Sequence, residues 1–144
     1  MKKFSFDLEK ILEFRDFEKK QAEAELAKAL SVETEIQNSL NAIASQFASL
    51  KNYMKGSLDF SDMVSMSQNT SLLNFQKEEL LKQLSQAKIV SEQKRDVLRE
   101  CMKKTNALEK MKELQLASYK EELKKEENKR LEEISQVKVN ADNV

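Results

Sequence analysis

Residues 8–54 read LEKILEFRDFEKKQAEAELAKALSVETEIQNSLNAIASQFASLKNYM, and this stretch decides the fold. Steps of four and three residues, taken alternately, reach fourteen positions in it, of which eleven are apolar. These positions are Leu8, Leu12, Arg15, Lys19, Ala22, Leu26, Ala29, Glu33, Ile36, Leu40, Ile43, Phe47, Leu50 and Met54. Such spacing is the seam of a left-handed coiled coil. The stretch is therefore predicted to form one long helix that needs a partner helix along its whole length.

Composition allows about one interruption in the chain. The 144 residues include one Gly and no Pro, the two residues that most often break helices. Gly56 follows the seam directly, where a helix C-cap belongs, and Ser57, Asp59 and Ser61 are acceptable N-caps for the next helix. We therefore predict a connection at about 55–61. Residues 61–71 are either a frayed helix start or part of a longer loop.

A second helical pattern begins at Leu72 and is less regular than the first. Its seam consists of Leu73, Leu80, Leu84, Ala87, Leu98, Cys101 and Leu108, with Ser91, Lys94 and Thr105 as polar members. Past Leu108 the phase slips by about one position, and the apolar line becomes Leu116, Tyr119, Leu123, Ile134 and Val137. Cys101 is expected to be a small buried apolar residue, because the chain has no His to activate a thiol.

These patterns predict an all-α fold in which two long helices form an antiparallel coiled-coil hairpin. A single domain, 1–144, would consist of arm one at about 5–54, capped by Ser5, arm two at about 62–138 and a disordered tail at 139–144. With the fold point near residue 57, residue i faces one near 115 − i, so Phe4 would lie near Met111. The second helix would then overhang as a single helix for roughly 25–30 residues, and its apolar residues would make it a docking element.

Charge and residue usage exclude several classes of function. The chain has 25 basic and 25 acidic residues, which argues against nucleic acid or an anionic membrane as the main partner. No apolar run is long enough to span a bilayer, and the N-terminus lacks the apolar core of a secretory signal. With no His, no Gly-rich phosphate loop and no CxxC motif, we expect no enzyme activity, no metal and no cofactor. The expected compartment is the cytoplasm.

Three segments resemble the flagellar export protein FliJ family over essentially the whole chain. At the N-terminus the pattern is Phe6-x-Leu8-x-x-Ile11-Leu12-x-x-Arg15. Residues 108–113, LEKMKE, look like the family's LExLKE, and Tyr119 follows at the expected distance. Residues 127–133, ENKRLEE, look like its ExKxLDE. Met111 and Glu132 depart conservatively from the usual Leu and Asp.

The resemblance implies a central-stalk-like coupling protein of the flagellar type III export apparatus. Such a protein would promote assembly and activity of the hexameric export ATPase ring, contact the cytoplasmic domain of the membrane export gate and handle escort chaperones of export substrates. It would be a monomer when alone, associated with the cytoplasmic face of the flagellar basal body and peripheral to the membrane through protein partners. The stalk proteins of virulence-type secretion systems belong to the same mechanistic class.

Two sets of contact residues follow as hypotheses. The ATPase-ring set lies between Leu108 and Ile134 and consists of Leu108, Glu109, Lys112, Glu113, Tyr119, Glu127, Lys129, Leu131, Glu132 and Glu133. The export-gate set lies at the middle and tip of the hairpin and consists of Phe47, Leu50, Tyr53, Phe75 and Leu80.

Two other functional classes fit the pattern. One is a generic structural or adaptor coiled coil that forms an extended parallel dimer, although the break at Gly56 favours a hairpin. The other is a holdase chaperone that grips unfolded clients through Met54, Met63 and Met66.

Overall fold

The computed structural model describes residues 3–56 and 59–142, and the all-α antiparallel hairpin is confirmed. It contains two helices, α1 (Glu9–Tyr53) and α2 (Phe60–Asp142), packed against each other. Their packing forms two compact units. Unit 1 consists of Met1–Lys19 and Glu100–Val144, and unit 2 consists of Lys20–Arg99. Each unit contains a segment of both helices.

In unit 2 the predicted seam of each helix is the buried face. Every predicted α1 position from Ala22 to Leu50 is buried or half-buried. The α2 line begins at Met66, which is only 5% exposed, and continues through the predicted positions to Leu98. The most buried apolar residues of the unit are small or medium in size: Ala22, Ala29, Ile43, Met66, Leu73 and Ala87. Alanines on both helices let the two backbones approach closely, and this is why a narrow stripe is enough to hold the pair.

Unit 1 contains the predicted phase slip of α2. The half-buried α2 positions after Leu108 are Lys112, Leu116, Tyr119 and Leu123, reached in steps of four, four, three and four residues. Two four-residue steps followed by one three-residue step, from Leu108 to Tyr119, make an 11-residue repeat, which averages about 3.67 residues per turn and is close to the period of a straight α-helix. In this unit α2 therefore follows its seam with little supercoiling.

The two most deeply buried side chains are hydroxyls on α2. Ser91 and Thr105 are each 0% exposed. The Ser91 hydroxyl donates to the carbonyl of Ala87 at 3.1 Å, within its own helix. The Thr105 hydroxyl lies 2.9 Å from the Cys101 carbonyl and 3.3 Å from the Arg15 carbonyl of α1. Thr105 therefore stands directly against the α1 backbone, where a larger side chain has no room.

Asp59 is the N-cap of α2. Its Oδ1 accepts a hydrogen bond from the Asp62 backbone N–H at 2.8 Å, and Asp62 Oδ2 accepts one from the Asp59 N–H at 3.5 Å. This reciprocal pair is a capping box with Asp in place of the usual Glu or Gln. Of the three caps predicted for this helix, the structure uses Asp59, whereas Ser57 lies outside the described residues.

Gly56 does not act as a left-handed C-cap. No described glycine has a positive φ, and the Gly56 N–H donates to the Tyr53 carbonyl at 3.2 Å. The Lys55 N–H likewise donates to the Asn52 carbonyl at 3.3 Å. These bonds span three residues, so α1 ends in a tightened last turn that needs no left-handed residue.

The arm boundaries differ from those predicted at the start of the first helix and at the end of the second. The first helix begins at Glu9 rather than near Ser5, because Phe6 enters the helix interface and its carbonyl accepts from the Glu9 N–H at 3.0 Å. Residues 61–71 are helical from the capped start onward. At the other end α2 continues to Asp142, past the predicted limit of 138, since no Gly or Pro stops it. Residues 143 and 144 of the predicted tail lie outside the described part.

The register is displaced by several residues from the predicted one. In unit 2, Lys94 Nζ lies 3.8 Å from Glu25 Oε2. In unit 1, Lys112 Nζ lies 2.7 Å from Glu9 Oε2, and Phe4 faces Tyr119 instead of Met111. The displacement arises because the first buried residue of α2 is Met66. A hairpin folded symmetrically about residue 57 would require α2 to pack against α1 from an earlier residue.

Enlarging residue 105 should destabilise the pair more than removing its hydroxyl. Thr105→Leu should lower the free energy of unfolding by about 1–3 kcal/mol through overpacking. Thr105→Val keeps the shape and should cost about 0.5–1.5 kcal/mol, the usual net worth of a hydrogen bond. Urea denaturation followed by circular dichroism measures both values. A Leu variant as stable as the Val variant would show that the site has spare room.

Candidate functional site: an overhanging helix and a lateral groove

The C-terminal part of α2 extends past the end of its partner. Leu123 is the last half-buried residue, and every residue from 124 to 142 is exposed. We call residues 124–142 the overhang. It begins later than predicted, since Leu108 to Leu123 contribute to the packing of unit 1. The free segment is thus 19 residues, or roughly 28 Å of helix.

The segment before α1, residues 3–8, determines where the overhang begins. It is not helical, and two of its residues pack inward. Phe6 is only 6% exposed, and the ring of Phe4 lies 5.5 Å from the ring of Tyr119, centroid to centroid. A non-helical segment spans more length per residue than a helix does. These few residues can therefore shield α2 from solvent as far as Leu123.

The structure divides the predicted ATPase-ring residues into two groups. Leu108, Lys112 and Tyr119 are half-buried members of the hairpin itself, Lys112 through its ion pair with Glu9 and Tyr119 through Phe4. The others are exposed: Glu109 and Glu113 beside the paired region, and Glu127, Lys129, Leu131, Glu132 and Glu133 on the overhang. The second group is therefore the more accessible to a partner.

One face of the overhang is apolar. Leu131, Ile134 and Val137 follow one another at intervals of three residues and are 62%, 59% and 69% exposed. Ile134 and Val137 line a shallow depression together with Arg130, Glu133 and Lys138. Helical periodicity places them in line with Leu116 and Leu123, so the overhang continues the face that packs in unit 1. Lys129, Glu132 and Val139 lie on other sides of the helix.

A second candidate surface is a groove along one side of unit 2. Three adjoining cavities of about 810, 440 and 490 Å³ share lining residues: Gln46 and Gln76 join the first two, and Glu79 joins the last two. We call the combined feature the lateral groove. Both helices line it, from Val32 to Tyr53 on α1 and from Asp62 to Val90 on α2.

The lateral groove carries few charges. Asp62, Glu79 and Lys82 are its charged lining residues, whereas 35% of the chain is charged. Its other polar residues are Ser, Asn and Gln. Five of its lining residues are large apolar side chains that stand 43–62% exposed: Val32, Tyr53, Leu72, Phe75 and Val90. A charge-poor groove with exposed apolar residues suits the apolar face of a partner helix.

Four of the five predicted export-gate residues line this groove. Leu50 and Tyr53 line its first cavity, while Phe75 and Leu80 line the second. Phe47 is a half-buried seam residue. Sequence reasoning did not select Val32, Leu72 or Val90, because they lie off both seams. The signal that could have found them is a large apolar residue at a position where the heptad pattern expects a polar one.

The described part of the chain has neither a candidate metal cluster nor a candidate membrane span. Among residues 3–56 and 59–142, no group of three His, Cys, Asp or Glu residues could hold a metal ion. Nor does a helix in these ranges combine the length and apolar character that a bilayer span requires.

Comparison with known proteins connects these surfaces to one family. The family model described as "Flagellar FliJ protein" matches residues 4–143. This chain belongs to that family. Membership makes it a flagellar protein associated with protein export, as the resemblance of its three sequence segments predicted. The matched range includes both surfaces of this FliJ-family chain. No curated protein and no solved structure matches the chain.

The buried phenylalanine before α1 should matter far more for stability than an exposed one on α1. Phe6→Ala should lower the free energy of unfolding by about 3–5 kcal/mol, because the side chain is 6% exposed. Phe14→Ala removes the same atoms at a position that is 57% exposed and should cost about 0.5 kcal/mol or less. Thermal and urea unfolding compare the two variants, and equal losses would contradict the packing of Phe6.

Proposed function

We propose that this chain is a non-catalytic coupling protein of the flagellar export apparatus, with the overhang as its contact for the export ATPase ring and the lateral groove as its contact for the export gate. Family membership associates the chain with flagellar protein export. The observation that carries the assignment of surfaces is that residues 124–142 are exposed on every side and yet keep an apolar face.

The overhang suits a contact inside a ring of subunits. A single helix presents its whole circumference, so it can touch several subunits at once. Its apolar face gives one anchoring line, and Glu127, Lys129, Glu132 and Glu133 supply exposed charges around it. Charged rims of this kind set orientation and association rate more than affinity. The three hairpin members of the predicted set, Leu108, Lys112 and Tyr119, act here by holding the base of this helix.

The lateral groove suits the gate because its chemistry differs from that of the overhang. Tyr53 and Phe75 are 60% and 62% exposed, and aromatic residues of this kind are typical anchors of interfaces. Neither residue lies in the seam, so a partner can cover both while the hairpin stays intact. The two partners thus bind chemically different surfaces that do not compete for the same side chains.

The proposal also includes the binding of escort chaperones and the location of the chain in the cell. The chain also binds escort chaperones of export substrates, and it works at the cytoplasmic face of the basal body, peripheral to the membrane through its protein partners. Family membership supports this place. The chain performs no chemistry in this role, and the ATPase supplies the hydrolysis.

Removing the overhang should abolish ring stimulation and leave the hairpin folded. A chain truncated after Leu123 keeps the Lys112–Glu9 ion pair and the Phe4–Tyr119 contact, and its thermal midpoint should stay near that of the full chain. Mixed with the export ATPase of the same organism at equal protein concentration, the full chain should raise both hydrolysis rate and hexamer fraction. The truncated chain should raise neither.

Gate binding is the control for this truncation, because it should be unchanged when the overhang is absent. Stimulation that survives truncation after Leu123 would remove the overhang from the proposal. No stimulation by the full chain would remove the coupling role itself.

Truncating the groove aromatics should weaken gate binding selectively. Phe75→Ala and Tyr53→Ala should each raise the dissociation constant for the cytoplasmic gate domain by about tenfold or more, the effect of losing an interface anchor. Phe17→Ala is the matched control, since Phe17 is 57% exposed and does not line the groove. Isothermal titration calorimetry measures all three. An equal loss in the control, or none in the groove variants, would reject the groove as the gate contact.

A further inference from the structure

We propose that residues 3–5, which we call the strap, cover Tyr119 in the major state of the free chain and leave it in a minor open state while the hairpin stays folded. In the open state Tyr119 joins the apolar face of the overhang, so a partner on this face competes with Phe4. The opening concerns the free chain alone, whereas the competition rests on the proposed contact with the export ATPase ring.

The strap is held less firmly than the residue that follows it. Phe6 is 6% exposed, and its carbonyl accepts a hydrogen bond from the Glu9 N–H at 3.0 Å, so it is fixed at the start of α1. Phe4 is half-buried, and the residues on either side of it, Lys3 and Ser5, are exposed. Segments with few buried apolar side chains open at a lower free energy than the whole fold. The strap can therefore leave α2 by rotation about the backbone before Phe6, while Phe6 stays packed.

The contact of the strap with α2 is built on the ring of Phe4, the one apolar side chain among residues 3–5. The ring centroids of Phe4 and Tyr119 lie 5.5 Å apart, and the ring planes are tilted by 48°. This separation is within the range of favourable aromatic pairs, which add modestly to the area that the rings bury. Removing the Phe4 ring should therefore shift the local equilibrium towards the open state without unfolding the hairpin.

Tyr119 lies on the face that the overhang continues. From Tyr119, steps of four and three residues along one side of α2 reach Leu123, Glu127, Arg130, Ile134 and Val137. In the closed state Tyr119 and Leu123 are half-buried, so the exposed apolar residues of this line are Ile134 and Val137, one turn apart. In the open state the line runs from Tyr119 to Val137, roughly 27 Å of helix. It then begins with an aromatic side chain, a typical interface anchor.

Closing of the strap lowers the apparent affinity of this face for its partner. Phe4 and a partner side chain would occupy the same side of the Tyr119 ring, so only the open state offers the complete face. The apparent dissociation constant of such a protein is the intrinsic constant divided by the open fraction. Coupling of this kind typically changes affinity by about 5- to 150-fold. The strap thus holds back binding until a partner of sufficient affinity displaces Phe4.

Fluorine NMR of the free chain tests the opening. The chain has two tyrosines, so in a Tyr53→Phe background 3-fluorotyrosine labels Tyr119 alone. Exchange with the open state should produce relaxation dispersion at this label, since local opening takes microseconds or longer. Phe4→Ala should shift the resonance to its open position and remove the dispersion. Phe14→Ala is the matched control, because Phe14 is 57% exposed in the same unit, and it should change neither.

Two results would overturn the opening: flat dispersion in the Tyr53→Phe chain, or an equal shift of the resonance in the Phe14→Ala control. Circular dichroism should show the same helix content in both alanine variants, because Phe6 stays in place. Loss of helix in Phe4→Ala would show that Phe4 holds the hairpin itself, and this too would overturn the strap.

The concentration of chain that gives half-maximal stimulation of the export ATPase tests the competition. Phe4→Ala should lower this concentration by about fivefold or more, and Phe14→Ala should leave it unchanged. An unchanged or raised value for Phe4→Ala would overturn the competition. If the unsubstituted chain does not stimulate the ATPase, the coupling role and the competition fail together, whereas the fluorine measurement on the free chain still decides whether the strap opens.

Discussion

The shared seam is the interaction on which the rest of the structure depends. Each helix buries one narrow apolar line, and each line is buried against the other, because the described residues form only these two helices. Where the two lines pack together, their side chains are buried or half-buried in the helix interface. Ser91 and Thr105 show how close this contact is, since small hydroxyls there leave no exposed surface. Every other surface is left over from this pairing and is available for binding.

The limit of the pairing is set by a few residues that are not helical at all. Phe6 closes the interface at the start of α1, and Phe4 extends protection to Tyr119 on α2. Without these contacts the half-buried residues Leu116, Tyr119 and Leu123 would lose their cover, and the exposed part of α2 would be longer by several turns. The segment before α1 thus determines how much of the second helix is presented to partners. Its two phenylalanines have a role in defining the candidate site although neither one belongs to it.

The sequence predicts the fold well because a heptad seam is a local, periodic signal. From Ala22 to Leu50, every predicted α1 position is buried or half-buried, and the phase slip after Leu108 is where the spacing indicates. Register is different, since it depends on where α2 first contributes a buried residue, at Met66, and no local signal marks that position. The error in register moved the start of the overhang, so that Leu108, Lys112 and Tyr119, which the family resemblance placed among the predicted contact residues, are half-buried in the hairpin. The lateral groove was only partly predicted, because it forms between two helices whose relative register was not known.

The proposed binding surfaces consist of side chains that lie outside the helix interface, and this affects how stability and binding are divided among residues. Tyr53, Phe75, Ile134 and Val137 are all more than half exposed, so they contribute little to the stability of the hairpin, whereas Phe6 and Thr105 contribute much and are hidden from partners. Stability and binding are therefore carried by different residues on the same two helices. A surface residue of this kind can change its partner preference without unfolding the chain, while the seam tolerates little change. This separation also explains why the charge-poor groove and the charged overhang can differ so strongly in composition, since neither is constrained by the packing that holds the helices together.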